Sequence, residues 1–184
     1  MANITLAVTG SIAAYKAADL TNLLTKEGHQ VTVLMTKSAQ QFIPALTLQV
    51  LSKQHVHTDI MNEERPEVVN HIELAKQTDV FIVAPATADT ISRLAHGAAN
   101  DIVTSVALAL PTGKPKLIAP AMNTEMYANP LTQRNLAILE EVGYQKVQPR
   151  EALLACGDFG SGALAELPDI ISAIHQALLN KETI

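Results

Sequence analysis

Tryptophan is missing from the chain, and aromatic residues make up only 3% of it. Alanine, valine, leucine and isoleucine must therefore fill the core, a composition suited to helices packed on a parallel sheet. A single cysteine, Cys156, excludes an internal disulfide and fits a reducing compartment. There is no excess of basic residues: the net charge is −5 and the pI about 5.6. That leaves no electrostatic footprint for nucleic acid or an anionic membrane. No apolar run reaches the length of a membrane span, and the N-terminus lacks the basic start and cleavage site of a signal peptide. These absences point to a soluble cytoplasmic protein. No histidine, cysteine or carboxylate pattern has convincing metal-ligand spacing, so no metal is expected. The chain also lacks G-x-G-x-x-G, a Walker loop and C-x-x-C, which removes the common NAD, ATP and thioredoxin signatures.

What remains is an alternation of strands and helices. Apolar runs at 3–10, 30–36, 79–85, 114–120 and 144–149 read as five strands, with helical periodicity between them at 11–28, 38–52, 69–78, 87–110 and 130–143. Pro44 interrupts the second helical stretch, a break is expected near Gly97, and a closing helix spans 168–180. With no repeat or linker, 184 residues predict one domain over 1–184, a doubly wound parallel α/β sheet. Each unusual loop falls at the carboxyl end of a strand, the edge where such sheets bind ligands.

Those loops carry the candidate site. Gly10, Ser11 and Ile12 form a strand–glycine–helix junction able to offer N–H groups to a phosphate, or simply an ordinary βα turn. Thr36, Lys37 and Ser38 add hydroxyls and a cation at the same edge, with helix capping by Ser38 as the alternative. In "APATADT", small Ala86 and Ala88 let a flat ring approach the backbone, while Thr87, Asp89 and Thr90 supply polar groups. The alternative is a helix start with Asp89 in its first turn. In "APAMNTEMY", Met122 and Met126 can line an apolar wall and Asn123 can grip a carboxylate; the alternative is a loop capping the next helix. Cys156 sits in "LLACGDFGSGALAE", where a glycine-rich loop argues against a buried, inert thiol. His71 has the acid–base range of any histidine.

Taken together and in order, "TGSIAAYK", "NHIELAKQTDVFIVAPATADT", "PAMNTEMY" and "ACGDFGSG" resemble the homo-oligomeric flavin-containing cysteine decarboxylases over nearly the whole chain. The resemblance implies a Rossmann-like, flavodoxin-like fold, FMN as cofactor, and assembly as trimers or as a dodecamer of four trimers. FMN would lie at a subunit interface. The pantothenoyl branch, which carries the "ACGDFGSG" clamp, implies 4′-phospho-N-pantothenoyl-L-cysteine as substrate in coenzyme A biosynthesis. The thiol side would be oxidised to a thioaldehyde, carbon dioxide would leave, and the enethiolate would be reduced again. His71 would be the acid–base residue, Asn123 would hold the carboxylate and Cys156 would give the proton. Gly10 to Ile12, Thr36 to Ser38, Thr87 to Thr90 and Ala121 would hold FMN. Asn123, Met126, Ala155, Cys156, Gly157 and Asp158 would hold substrate, the glycines letting the clamp move. Three departures stand out. Asp89 replaces an asparagine, Tyr127 replaces a tryptophan while keeping an aromatic wall, and Ala163 replaces an arginine suited to the substrate phosphate. Arg150 or Lys146 is the expected stand-in. A peptidyl-cysteine decarboxylase and a non-catalytic regulatory flavoprotein of the same fold are the competing readings.

Overall fold

The computed structural model describes residues 1–63 and 66–181. Six parallel strands form one sheet in the order β3-β2-β1-β4-β5-β6. They are β1 (Asn3–Val8), β2 (Gln30–Met35), β3 (Val56–His57), β4 (Val80–Ala86), β5 (Lys116–Pro120) and β6 (Tyr144–Lys146). The expected five strands are present. The edge strand β3 is an addition, and at two residues it is too short to show an alternating pattern. This is the doubly wound order, reversing direction between β1 and β4.

The strands are buried on both faces because helices cover both. Ile4, Leu6 and Val8 of β1 point into one core with Leu20 and Leu24 of α1 (Lys16–Lys26) and Ile170 and Ile174 of α8 (Leu167–Lys181). Ala7, Phe81, Val83 and Ile118 point the other way, against Ile91 of α4 (Ala88–Ala95), Val103 and Val106 of α5 (Ile102–Ala109) and Leu136 of α7 (Pro130–Glu141). Residues 102–107 of α5 are all buried, and the helix starts at a capping box in which Asp101 and Thr104 satisfy each other's backbone N–H groups. The break near Gly97 is real: that glycine has φ +67° and separates α4 from α5. The first helix differs from expectation. It begins as a 3₁₀ turn over Ile12–Tyr15, capped by Ser11, before α1 starts at Lys16. Pro44 ends an irregular segment and precedes α2 (Ala45–Ser52).

The glycine-rich segment is not a loop. Residues 150–163 form an antiparallel hairpin, β7 (Arg150–Leu153) and β8 (Phe159–Ala163), separate from the main sheet. Two of its glycines are required by docking rather than mobility. A Cβ on Gly162 would lie 2.4 Å from the Met122 carbonyl oxygen, and one on Gly160 would lie 2.8 Å from the Thr124 methyl. These contacts fix the hairpin on the segment after β5, and Met122 N–H donates to the Gly162 carbonyl at 2.9 Å.

Candidate active site

The loops after β1 and β4 flank the point where strand order reverses, and a crevice opens there between them. Thr9 joins the two. Its side chain is fully buried, its hydroxyl donates to the Pro85 carbonyl at 2.7 Å, and it accepts from Thr87 N–H at 3.0 Å. Gly10 allows the β1 loop to meet the β2 loop, since a Cβ there would be 2.4 Å from Ser38 Cβ. Close backbone approach explains this glycine.

Two cavities share Gly10 and Thr87. The larger, about 440 Å³, is walled by Ser11, Ile12, Tyr15, Lys16, Ala88, Ala121, Met122, Asn123, Met126, Arg150 and the hairpin residues Leu153 to Cys156 and Gly162 to Leu164. The smaller, about 330 Å³, is polar: Thr36, Lys37, Ser38, Asp89, Thr90, Arg93, Asn100 and Asp101 line it, and the carboxylates of Asp89 and Asp101 flank Arg93, leaving Lys37 as the cation beside the hydroxyls. A ligand with a flat apolar part and an anionic end matches this pair, and the donor set fits FMN. The expected cofactor residues therefore come together, divided between an apolar and a polar compartment.

Local capping differs in detail from the sequence reading. Ser38 makes no side-chain cap; Thr36 Oγ1 instead accepts from Ala39 N–H at 3.2 Å. Thr87 caps α4, accepting from Thr90 N–H at 3.3 Å, and Asp89 lies in the first turn as expected. The Asp89 carboxylate pairs with Arg93 Nε at 3.0 Å, and Arg93 also reaches Asn100 Oδ1 at 3.0 Å. The acid that departs from the family pattern is thus neutralised within its own helix. Tyr127, of α6 (Thr124–Ala128), packs against the second core cluster and does not line the larger cavity, so it is no aromatic wall there.

At the cavity mouth Asn123, Cys156 and Asp158 converge. Asn123 Nδ2 donates to Cys156 Sγ at 3.1 Å and to Asp158 Oδ2 at 2.9 Å. The thiol in turn donates to Asp158 Oδ2 at 3.3 Å. The asparagine is held by its own backbone position, because Oδ1 caps α6 by accepting from Glu125 N–H at 2.8 Å. Cys156 is exposed in the hairpin turn, where Gly157 has φ +92°. This arrangement points the thiol proton at a carboxylate and sets the sulfur beside an N–H donor, the partner a sulfur needs as it gives up a proton.

His71 is not brought into this group. It lies in the first turn of α3 (Asn70–Gln77) and lines neither cavity; its Nδ1 is buried without a partner. Gly157 and Asp158 stand at the mouth rather than in the wall. Of the two stand-ins for the missing arginine, Arg150 lines the larger cavity, whereas Lys146 does not and pairs with Glu140 at 3.0 Å. Both Arg150 contacts, to Glu166 and the Leu164 carbonyl, use Nε, which leaves the terminal nitrogens for a ligand. The sequence reading missed Lys16, Tyr15 and Arg93. Lys16 and Tyr15 lie just beyond the Gly10–Ile12 junction, and Arg93 one helical turn after Asp89, which was the available signal.

Comparison with known proteins agrees with this geometry. Residues 1–179 match the Flavoprotein family. The chain is 62% identical over 175 residues to a probable phosphopantothenoylcysteine decarboxylase of Streptococcus mutans, covering 95% of this chain and 98% of that one. It is 46% identical over 169 residues to the coenzyme A biosynthesis bifunctional protein CoaBC of Bacillus subtilis, 92% of this chain but only 41% of that longer protein. Among solved structures, a cysteine-to-serine mutant of PPC decarboxylase complexed with pantothenoylaminoethenethiol superposes with a TM-score of 0.86 at 35% identity, over 95% of this chain and 97% of that one. The FMN-dependent cysteine decarboxylase SpaF gives a TM-score of 0.86 at 28% identity, over 99% and 98%. Among the described residues, no helix is long and apolar enough to cross a membrane.

Proposed function

The chain belongs to the Flavoprotein family, and from that premise we infer that it catalyses the FMN-dependent decarboxylation of 4′-phospho-N-pantothenoyl-L-cysteine to 4′-phosphopantetheine, a step of coenzyme A biosynthesis. The observation that carries the reading is the Asn123–Cys156–Asp158 cluster at the mouth of a cavity built for an apolar ring and an anionic tail. Loss of carbon dioxide from an unmodified cysteine would leave an unstabilised carbanion. FMN, when bound, supplies the reversible two-electron oxidation that avoids it.

The protein's own groups do the rest. Gly10 to Ile12, Thr87, Ala88 and Ala121 would hold the ring side of FMN, and Thr36 to Ser38 with Thr90 its phosphate side. Asn123 Nδ2 would receive the substrate carboxylate. Asp158 occupies that position here, so substrate would displace one carboxylate with another. Cys156 would donate the proton that the decarboxylated enethiolate needs at carbon. The neighbour complexed with pantothenoylaminoethenethiol is a cysteine-to-serine mutant, and in this chain the one candidate for an equivalent thiol is Cys156. The hairpin carrying it lines the cavity and, closed over bound substrate, would exclude water from the reactive intermediate. Arg150, with Lys16, would hold the substrate phosphate.

His71 stands apart from the cavity. Its proposed acid–base role would require a second copy of the chain, so that role is proposed together with assembly as a trimer or a dodecamer of trimers in which neighbours share the site. The test is anaerobic incubation of the flavin-loaded protein with phosphopantothenoylcysteine, following phosphopantetheine by mass spectrometry, with Cys156→Ser beside it. Product from the wild type and accumulated enethiol from the variant are expected. No product from flavin-loaded wild type overturns the substrate assignment. Turnover of a peptide ending in cysteine would then favour the peptidyl-cysteine decarboxylase reading.

A further inference from the structure

We propose that Glu27, His29 and His175 bind one divalent cation of the zinc class, at a site remote from the cavity. Glu27 follows the last residue of α1, His29 follows the Gly28 turn that leads into β2, and His175 projects from α8. Glu27 Oε2 lies 2.9 Å from His175 Nε2 and 3.9 Å from His29 Nε2. One ligand atom from each residue lies within 4.8 Å of the other two. Zinc bonds of about 2.0–2.1 Å in a tetrahedron separate neighbouring ligands by roughly 3.3 Å. The observed separations bracket that value, so small side-chain rotations close the site.

Two imidazoles and one carboxylate, with a fourth position open to water, form a zinc donor set. Calcium and magnesium favour oxygen ligands alone. Two further features of the fold favour a cation here. The carbonyl end of α1, the negative end of its dipole, faces this corner. His29 Nδ1 is sealed from solvent without a partner, so Nε2 is the one nitrogen that residue can offer.

Among the described residues this is the one cluster of histidine, cysteine or acidic side chains with metal-binding spacing. It sits where β2 begins, at the amino ends of the strands, on the far edge of the sheet from Gly10 and Thr87. An ion there takes no part in decarboxylation. It ties α8 to α1 across 148 residues of chain and stabilises the native state by linkage.

The test is calorimetric titration of the flavin-loaded, full-length protein with zinc chloride at pH 7.5, together with thermal unfolding. Cys156→Ser is included because an exposed thiol beside Asp158 is the competing soft ligand. One equivalent of zinc is expected to bind the wild type and Cys156→Ser, and His175→Ala is expected to weaken binding at least about thirtyfold. At a hundredfold excess over Kd, zinc is expected to raise Tm by roughly 5–10 °C in the wild type, and not in His175→Ala. Calcium is expected to do neither. Wild-type Tm of His175→Ala in chelator confirms that the variant folds, and Glu27→Gln serves if it does not. Absence of stoichiometric binding, binding that survives His175→Ala and Glu27→Gln, or binding lost in Cys156→Ser overturns the proposal.

Discussion

Replacing Gly162 by alanine tests whether the hairpin is held by close docking. Its φ of +137° is a conformation that side chains rarely adopt, and the new Cβ would meet the Met122 carbonyl oxygen at 2.4 Å. Left-handed strain costs about 1–2 kcal/mol. Relieving the clash breaks the Met122–Gly162 hydrogen bond, whose net contribution is about 0.5–1.5 kcal/mol. Together with residual overlap, roughly 2–4 kcal/mol is removed from docking, a thirtyfold to several-hundredfold fall in the docked population. An isolated two-stranded hairpin is marginal in water, so β7 and β8 should release as a unit while the six-stranded sheet stays folded. Hydrogen exchange over residues 150–163 is expected to accelerate at least about thirtyfold. Turnover should fall at least about tenfold with FMN retained and Tm little changed. Gly157→Ala is the control: φ is +92°, but no atom lies within 4 Å of the added Cβ. Strain of about 1–2 kcal/mol should then remain within the turn. Wild-type exchange and turnover in Gly162→Ala, or an equal effect from Gly157→Ala, would refute the docking argument.

Thr9→Val keeps the shape but leaves the buried Pro85 carbonyl and Thr87 N–H without their shared hydroxyl. A loss of about 2–4 kcal/mol in urea unfolding is expected, and a loss under 1 kcal/mol would show that these groups find other partners. Arg150→Ala should raise KM for the phosphorylated substrate at least about tenfold with kcat little changed. An equal rise for the dephosphorylated substrate would remove Arg150 from phosphate recognition. Because the folded-state pKa of His29 lies below its ordinary value, the unfolded chain binds more protons between the two values. Stability contributed by neutral His29 is therefore complete above about pH 6.5 and declines as pH falls toward the lowered pKa. Urea midpoints in chelator at pH 7.5 and 5.5 should converge in His29→Gln, and an unchanged gap would assign the pH dependence to other groups.

Five of the six strands of the main sheet, the break at Gly97 and the concentration of polar loops at one sheet edge were legible from local pattern. Apolar runs and glycine punctuation act over a few residues and are therefore readable along the chain. So was the gathering of most proposed cofactor-side residues around the two cavities, because they lie in loops that follow strands and the doubly wound topology collects such positions. The hairpin was not, since β7 and β8 are half exposed and their alternation is weak. Its glycines read as mobility until residues 122–124 were seen packed against them. Only the tertiary structure separated Arg150 from Lys146, turned Tyr127 into the core and left His71 outside the cavity. Only folding joined Glu27 and His29 to His175. The sequence by itself determined five strands of the main sheet and the helices between them, because those follow from local periodicity. Which distant side chains meet was decided by the packing of helices on both faces of one sheet, a long-range property that no local pattern encodes.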